Sequence, residues 1–155
     1  SPLGAIAYET GGILIDHGWL RFKGSGHKKL PRALNGKDYD DGYLVIADDA
    51  VGGFFALNNG ALGNDQGMIY YLPPDDLDWE PLEIGYSVFF EWSLSENLAE
   101  FYQDFRWSSW KEDLADLAPD CCFGFYPFLW TEQGDIESSH RKGIPVKESW
   151  NLKLL

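Results

Sequence analysis

The run Tyr43-Leu44-Val45-Ile46-Ala47-Asp48-Asp49-Ala50-Val51-Gly52-Gly53-Phe54-Phe55-Ala56-Leu57-Asn58-Asn59-Gly60, with Met68-Ile69-Tyr70-Tyr71-Leu72 after it, decides the fold. Short stretches of branched, aliphatic and aromatic residues, bounded by Gly, Asn and Asp, read as neighbouring strands rather than helices. Asn58-Asn59-Gly60 supplies residues that tolerate positive φ, so the segments around it predict an antiparallel hairpin with a longer loop. Gly52-Gly53 reads as a bulge or a close backbone approach. Working outward, Gly12-Ile13-Leu14-Ile15-Asp16 and Gly18-Trp19-Leu20-Arg21-Phe22 add two more strands upstream. Downstream, Pro73-Pro74-Asp75-Asp76 stops the last strand because proline cannot donate to a ladder, and Leu77-Asp78-Trp79-Glu80-Pro81 is expected to carry the chain away.

The period then changes. Phe89, Phe90, Leu94, Leu98, Phe101, Tyr102 and Phe105 recur at three- and four-residue intervals, which is a helical stripe, with Ser95-Glu96 marking a second start inside it. Ser109 followed by Glu112 has the spacing of a capping box and predicts a helix ending near Leu117, ahead of Pro119. Phe123-Gly124-Phe125-Tyr126-Pro127-Phe128-Leu129-Trp130 is extended in character, and Ile144-Pro145-Val146 reads as a last edge segment. Strands, then helices, then strands predict an α+β fold: a single domain over 1–155, with a mainly antiparallel sheet packed against two or three helices.

Composition narrows the function classes. With 155 residues, 45% apolar and 16% aromatic, the chain can remove roughly 70% of its unfolded surface from water. No apolar run reaches the length of about 18 residues that a membrane span needs, so no membrane role is expected. Against 12 Lys and Arg stand 25 Asp and Glu, a net charge of −13. That excludes nucleic acid or anionic lipid as a partner held on a broad basic face, and points to basic protein partners. Cys121 and Cys122 are adjacent and cannot staple distant segments; they read as buried free thiols in a reducing compartment, hence a cytoplasmic protein.

Several segments carry a resemblance to a known family. Leu44 to Asn58 and Gly67-Met68-Ile69-Tyr70-Tyr71-Leu72 are joined by Gly11-Gly12-Ile13-Leu14-Ile15-Asp16-His17-Gly18-Trp19-Leu20-Arg21, Phe105-Arg106-Trp107-Ser108-Ser109-Trp110 and Phe125-Tyr126-Pro127-Phe128-Leu129-Trp130-Thr131. Together they resemble the bacterial DUF2625 family over nearly the whole chain. That family has no established activity, and its members carry a further N-terminal stretch. The resemblance therefore implies a domain lacking an N-terminal segment, whose uncovered apolar face would favour a dimer. More distantly, the order of strand, Asp-rich turn, Gly-aromatic strand, hairpin, Pro/Asp break and helix over 44–92 is similar to the SMI1/KNR4, or SUKH, superfamily. Many bacterial members of that superfamily are immunity proteins that bind and neutralise toxin domains, often nucleases. That resemblance implies a SUKH-like fold and a basic toxin domain as partner.

The candidate partner-binding residues are Asp48, Asp49, Asp75, Asp76, Asp78, Trp79 and Glu80, with Asp38, Tyr39, Asp40, Asp41 and Tyr43 nearby in the pattern. Acidic side chains with interleaved aromatics at strand ends would steer and hold a basic protein. Such a module needs no cofactor. Two other classes stay open. Asp48 and Asp49, with His17, would serve a small hydrolase or metal-dependent enzyme if they converged, although consecutive strand residues point to opposite faces. Trp107, Trp110 and Trp130 would line a ligand pocket, the competing reading being that they pack in the core. His17, His27 and His140 have no metal spacing, no nucleophile elbow is present, and Gly24-Ser25-Gly26-His27-Lys28-Lys29 lacks the phosphate-loop spacing. No metal and no catalytic residue is assigned.

Overall fold

The computed structural model describes residues 12–24 and 42–154. Gly24-Ser25-Gly26-His27-Lys28-Lys29 after its first residue, and Asp38, Tyr39, Asp40 and Asp41, lie outside them.

The expected strands form a six-stranded antiparallel sheet in simple sequential order: β1 (Ile13–Ile15), β2 (Leu20–Phe22), β3 (Tyr43–Asp49), β4 (Phe54–Asn58), β5 (Met68–Leu72) and β6 (Glu80–Gly85). The hairpin expected across Asn58-Asn59-Gly60 is the β4–β5 pair, with Phe55 opposite Tyr71. The break at Pro73-Pro74 does not release the chain, however. It turns back as β6, which pairs with β5 through Tyr70 opposite Pro81 and Tyr71 opposite Glu80. Pro81 is tolerated because β6 is the outer strand among the described residues, with no described ladder on its far side to serve.

The stripe over 86–105 splits into α1 (Tyr86–Ser93), α2 (Asn97–Phe101) and a 3-10 turn at Gln103–Phe105. The division falls at Ser95, whose hydroxyl donates to the Trp92 carbonyl and accepts from the Asn97 amide. The next helix, α3 (Trp110–Ala115), starts after Ser109 as expected, but not through a capping box. The Ser109 hydroxyl instead donates to Asp113 Oδ2 at 2.9 Å, and the Trp107 indole N–H donates to the same oxygen at 2.6 Å. A two-stranded ribbon, β7 (Cys121–Tyr126) with β8 (His140–Pro145), and a terminal helix, α4 (Val146–Leu154), complete the fold. The described elements thus bear out the α+β architecture, with a helix and a strand more than the sequence pattern showed.

Strand alternation divides the interior in two. Leu20, Phe22, Ile46, Phe55, Ile69 and Tyr71 face α1 to α3 and pack with Phe89, Leu98, Tyr102 and Trp107. Val45, Phe54 and Leu72 face the other way, against Tyr43, Trp79, Val146 and Trp150. The register places the turns 16–19, 50–53 and 73–79 at one end of the sheet, since Ile15 lies opposite Leu20, Leu20 opposite Asp49, Phe54 opposite Leu72 and Tyr71 opposite Glu80. The acidic candidates Asp48, Asp49 and 75–80 therefore share that end.

Candidate functional site

Sharing an end does not put them on one surface. Asp48 and Asp49 are 1% and 0% exposed, so the expectation that they contribute to a partner-binding face is corrected: both are inside the protein. They also fail to converge on a common ion or substrate, because alternation sends one to each side of the sheet. Asp48 accepts from Arg21 Nε at 2.8 Å across the β2–β3 pair, and Arg21 Nη1 continues to the Cys121 carbonyl at 3.1 Å. The guanidinium is itself buried; desolvation opposes its charge, and the carboxylate of Asp48 outweighs that and holds it protonated.

Asp49 faces the other side and collects four donors. The Val51 and Gly53 amides reach Oδ1 at 3.1 and 2.7 Å, and the Tyr71 and Tyr102 hydroxyls reach Oδ2 at 2.7 and 2.8 Å. One carboxylate thereby ties the β3–β4 turn to β5 and to the residue that closes α2. Burial pushes the Asp49 carboxyl up, while the Tyr71 hydroxyl, the Gly53 amide and the Tyr102 hydroxyl each pull it back. The glycine pair is explained by the same group. Gly52 takes φ +87°, and a Cβ on Gly53 would overlap Asp49 Oδ2 and the Tyr71 hydroxyl.

The second acidic group is built differently. In the turn 73–79, Asp76 Oδ1 accepts from the Leu77 amide at 2.7 Å and the Asp78 amide at 3.2 Å, an Asx-type closure that leaves Asp75, Asp78 and Glu80 outward and Leu77 49% exposed. The turn is clamped from below by Lys153 of α4, whose ammonium donates to the Pro73 carbonyl and to the Asp76 carbonyl at 3.2 Å. Burial lowers the Lys153 ammonium to about 8. Trp79 is half-buried against Tyr43 and Trp150, with ring centroids 5.7 and 6.2 Å away. Partial burial and then crowding by Asp76 and Asp75 raise the Glu80 carboxyl; burial, with Asp76 nearby, raises that of Asp75.

The remaining candidates have internal roles. Trp107 is buried between Phe123 and Phe125, and Trp110 packs edge-on against Trp19 at 5.2 Å, with the Arg106 guanidinium 4.1 Å over its ring. Trp130 stacks on Phe128 at 4.5 Å and lines a hollow with Phe123 and Phe125 to which neither Trp107 nor Trp110 contributes. Cys121 and Cys122 are not joined in a disulfide, and burial pushes the Cys122 thiol up to about 12, the opposite of an activated nucleophile. Among the described residues no three His, Cys, Asp or Glu side chains gather as a metal would require. No helix among them is long and apolar enough to cross a membrane.

Sequence reading missed Arg21 and Tyr102 as partners of the buried carboxylates, and Lys153 as the donor to two backbone carbonyls of the turn 73–79. Arg21 did leave a signal, as a charged residue flanked by Trp19, Leu20 and Phe22 in a strand. Lys153 left none, since nothing local links it to Pro73.

Comparison with known proteins supplies the lineage. A family model described as "Protein of unknown function DUF2625" matches residues 1–149. The chain belongs to the DUF2625 family. The uncharacterised protein YbfG of Escherichia coli is 47% identical over 158 residues, covering 99% of this chain and 72% of that protein. An uncharacterised protein of Haemophilus influenzae is 46% identical over 138 residues, covering 83% of this chain and 60% of that protein. No solved structure matches the chain at a significant level.

Proposed function

We propose that this DUF2625 domain is a protein-binding module that presents the turn 73–79 and Glu80 to a basic partner. The observation that supports this most is that an exposed leucine, Leu77, stands among Asp75, Asp78 and Glu80 on a turn held rigid by Asp76 and Lys153. A turn fixed before binding loses little freedom on association, so its contacts convert more fully into affinity. Its carboxylates speed encounter with a basic surface, and Leu77 with the exposed part of Trp79 supplies apolar area. The site residues are Asp75, Asp76, Asp78, Trp79 and Glu80, with Asp48 and Asp49 acting beneath them as framework. The sharper form of the proposal is an immunity-type role in which the partner is a basic, nuclease-like toxin domain of the producing cell or its neighbours. It rests on the net charge of −13 together with this turn.

The test is capture from bacterial lysate on immobilised protein at low and moderate ionic strength, beside an Asp75→Lys/Asp78→Lys/Glu80→Lys variant that spares Asp76. The reading expects one basic protein in near-equal amount with the wild type, released by salt and absent from the variant. Equal capture by both, or an acidic protein insensitive to salt, would overturn it.

A further inference from the structure

A groove of about 630 Å³ runs between the end of α3 and the β7–β8 ribbon. Asp113, Asp116 and Leu117 line it from the helix side. The ribbon register sets Phe123 opposite Gly143 and Phe125 opposite Arg141, so Phe123, Gly143 and Arg141 share the face that looks into it. Gly143 sends no side chain into the groove, and a Cβ there would come within 3.0 Å of Leu117 Cδ1. The bare glycine thereby keeps the middle of the groove open.

The two walls carry charges of opposite sign that do not meet. Trp107 stands between them: its indole N–H donates to Asp113 Oδ2 at 2.6 Å, and the Arg141 guanidinium lies 4.4 Å over the same ring. No ion pair joins Asp113 to Arg141 among the described residues. Each is fixed from its own side. The Ser109 hydroxyl is a second donor to Asp113 Oδ2, and Arg141 Nη1 donates to the Ile136 and Glu137 carbonyls at 2.9 and 3.4 Å. The Trp107 and Ser109 donors hold the Asp113 carboxyl below the usual carboxylate range, so it is ionised at neutral pH. Asp113 Oδ1, Arg141 Nε and Arg141 Nη2 take no hydrogen-bond partner among the described residues, and none of the three is sealed from solvent. Asp116, exposed on the helix side, adds a second negative charge. Opposite charges held in place without neutralising each other form a site that needs no rearrangement to receive a ligand.

The arrangement selects the ligand. A simple cation would meet Arg141 and a simple anion would meet Asp113 and Asp116, whereas a molecule that carries both charges is matched at each end. Arginine pairs a carboxylate through two parallel N–H donors, and Nε and Nη2 are the pair left over. Asp113 and Arg141 bracket a single indole, so the ligand's two charges must lie close together, as on one α-carbon. Past them the groove continues over Gly143 to Leu117, Ala118 and Phe123, which offers hydrocarbon surface to an apolar side chain.

We infer that this groove is a binding site for a free α-amino acid with an apolar side chain, its carboxylate on Arg141, its ammonium on Asp113 and Asp116, and its side chain over Gly143 against Leu117 and Phe123. The site shares no residue with the turn 73–79 and does not depend on the role proposed for that turn.

The experiment is an NMR titration of the ¹⁵N-labelled chain with L-leucine. Leucinamide, which lacks the carboxylate, and N-acetylleucine, which lacks the ammonium, are titrated at the same ionic strength. Leucine is expected to give saturable shifts at the amides of Leu117 and Gly143 and at the Trp107 indole N–H. Each blocked analogue should bind about tenfold more weakly or not at all, the usual consequence of losing one charged hydrogen bond. Two variants complete the test, each checked for folding by its thermal midpoint. Gly143→Val fills the groove and should abolish the leucine response. Asp116→Asn removes an exposed charge that makes no side-chain hydrogen bond among the described residues, and should weaken leucine binding while leaving the midpoint unchanged. No saturable shift, binding of either blocked analogue as tight as that of leucine, or undiminished leucine binding in a folded Gly143→Val or in Asp116→Asn would each overturn the inference.

Discussion

Two groups of acidic residues sit at the same end of one sheet and behave as opposites. Asp48 and Asp49 are sealed in and are met by Arg21, two tyrosine hydroxyls and two backbone amides. Asp75, Asp78 and Glu80 face water, and the one carboxylate of that turn with inward work, Asp76, bonds only to its own neighbours' amides. The difference shows that residue type and strand-end position do not determine what an aspartate does. What decides is how many donors arrive from distant parts of the chain. A carboxylate leaves water only when several hydrogen bonds or an opposite charge replace its hydration.

That contrast can be broken most sharply at Asp49. Asp49→Ala leaves two buried amides and two buried phenols without their acceptor, and the expected loss is about 3–5 kcal/mol of stability by urea unfolding, the range for stranding buried polar partners. A smaller effect tests the shares within the cluster. Tyr102→Phe or Tyr71→Phe removes one of the four donors, and each is expected to cost about 1–3 kcal/mol as a bond to a charged group. A double-mutant comparison should show less than additive losses, because both hydroxyls serve Oδ2. The smallest effect belongs to the exposed group. Asp75→Lys/Asp78→Lys/Glu80→Lys should change stability by no more than about 0.5 kcal/mol, since exposed charges away from fixed partners seldom do more. Its consequence is expected in partner capture alone.

Much of the fold was legible in local pattern. The strands β3, β4 and β5 carry runs of apolar residues between glycine, asparagine and proline, and the helix stripe over 86–105 has its break at a serine. The strand β6 was hidden because Glu80-Pro81-Leu82-Glu83 has the charges and the proline of an exposed outer edge, where the usual strand composition is not required. The helix α4 was missed although Val146, Trp150 and Leu154 recur every four residues, because Val146 reads with Ile144 and Pro145 as an edge segment; its Trp150 packs on Phe54 and Tyr43 of the sheet. The site was less legible than the fold. Asp49 meets tyrosines 22 and 53 residues away, and Asp48 meets an arginine 27 residues back, separations over which no local pattern extends. By contrast the exposed turn 75–80 is made from consecutive residues, and its place on the surface could be read from them directly.

The most direct test of this division is to measure urea unfolding of Asp49→Ala and of Asp75→Lys/Asp78→Lys/Glu80→Lys side by side with the wild type. The account expects a midpoint far below wild type for the first and one that coincides with wild type for the second. Equal shifts for both variants, or a wild-type midpoint for Asp49→Ala, would contradict the claim that one acidic group builds the domain and the other is free to bind.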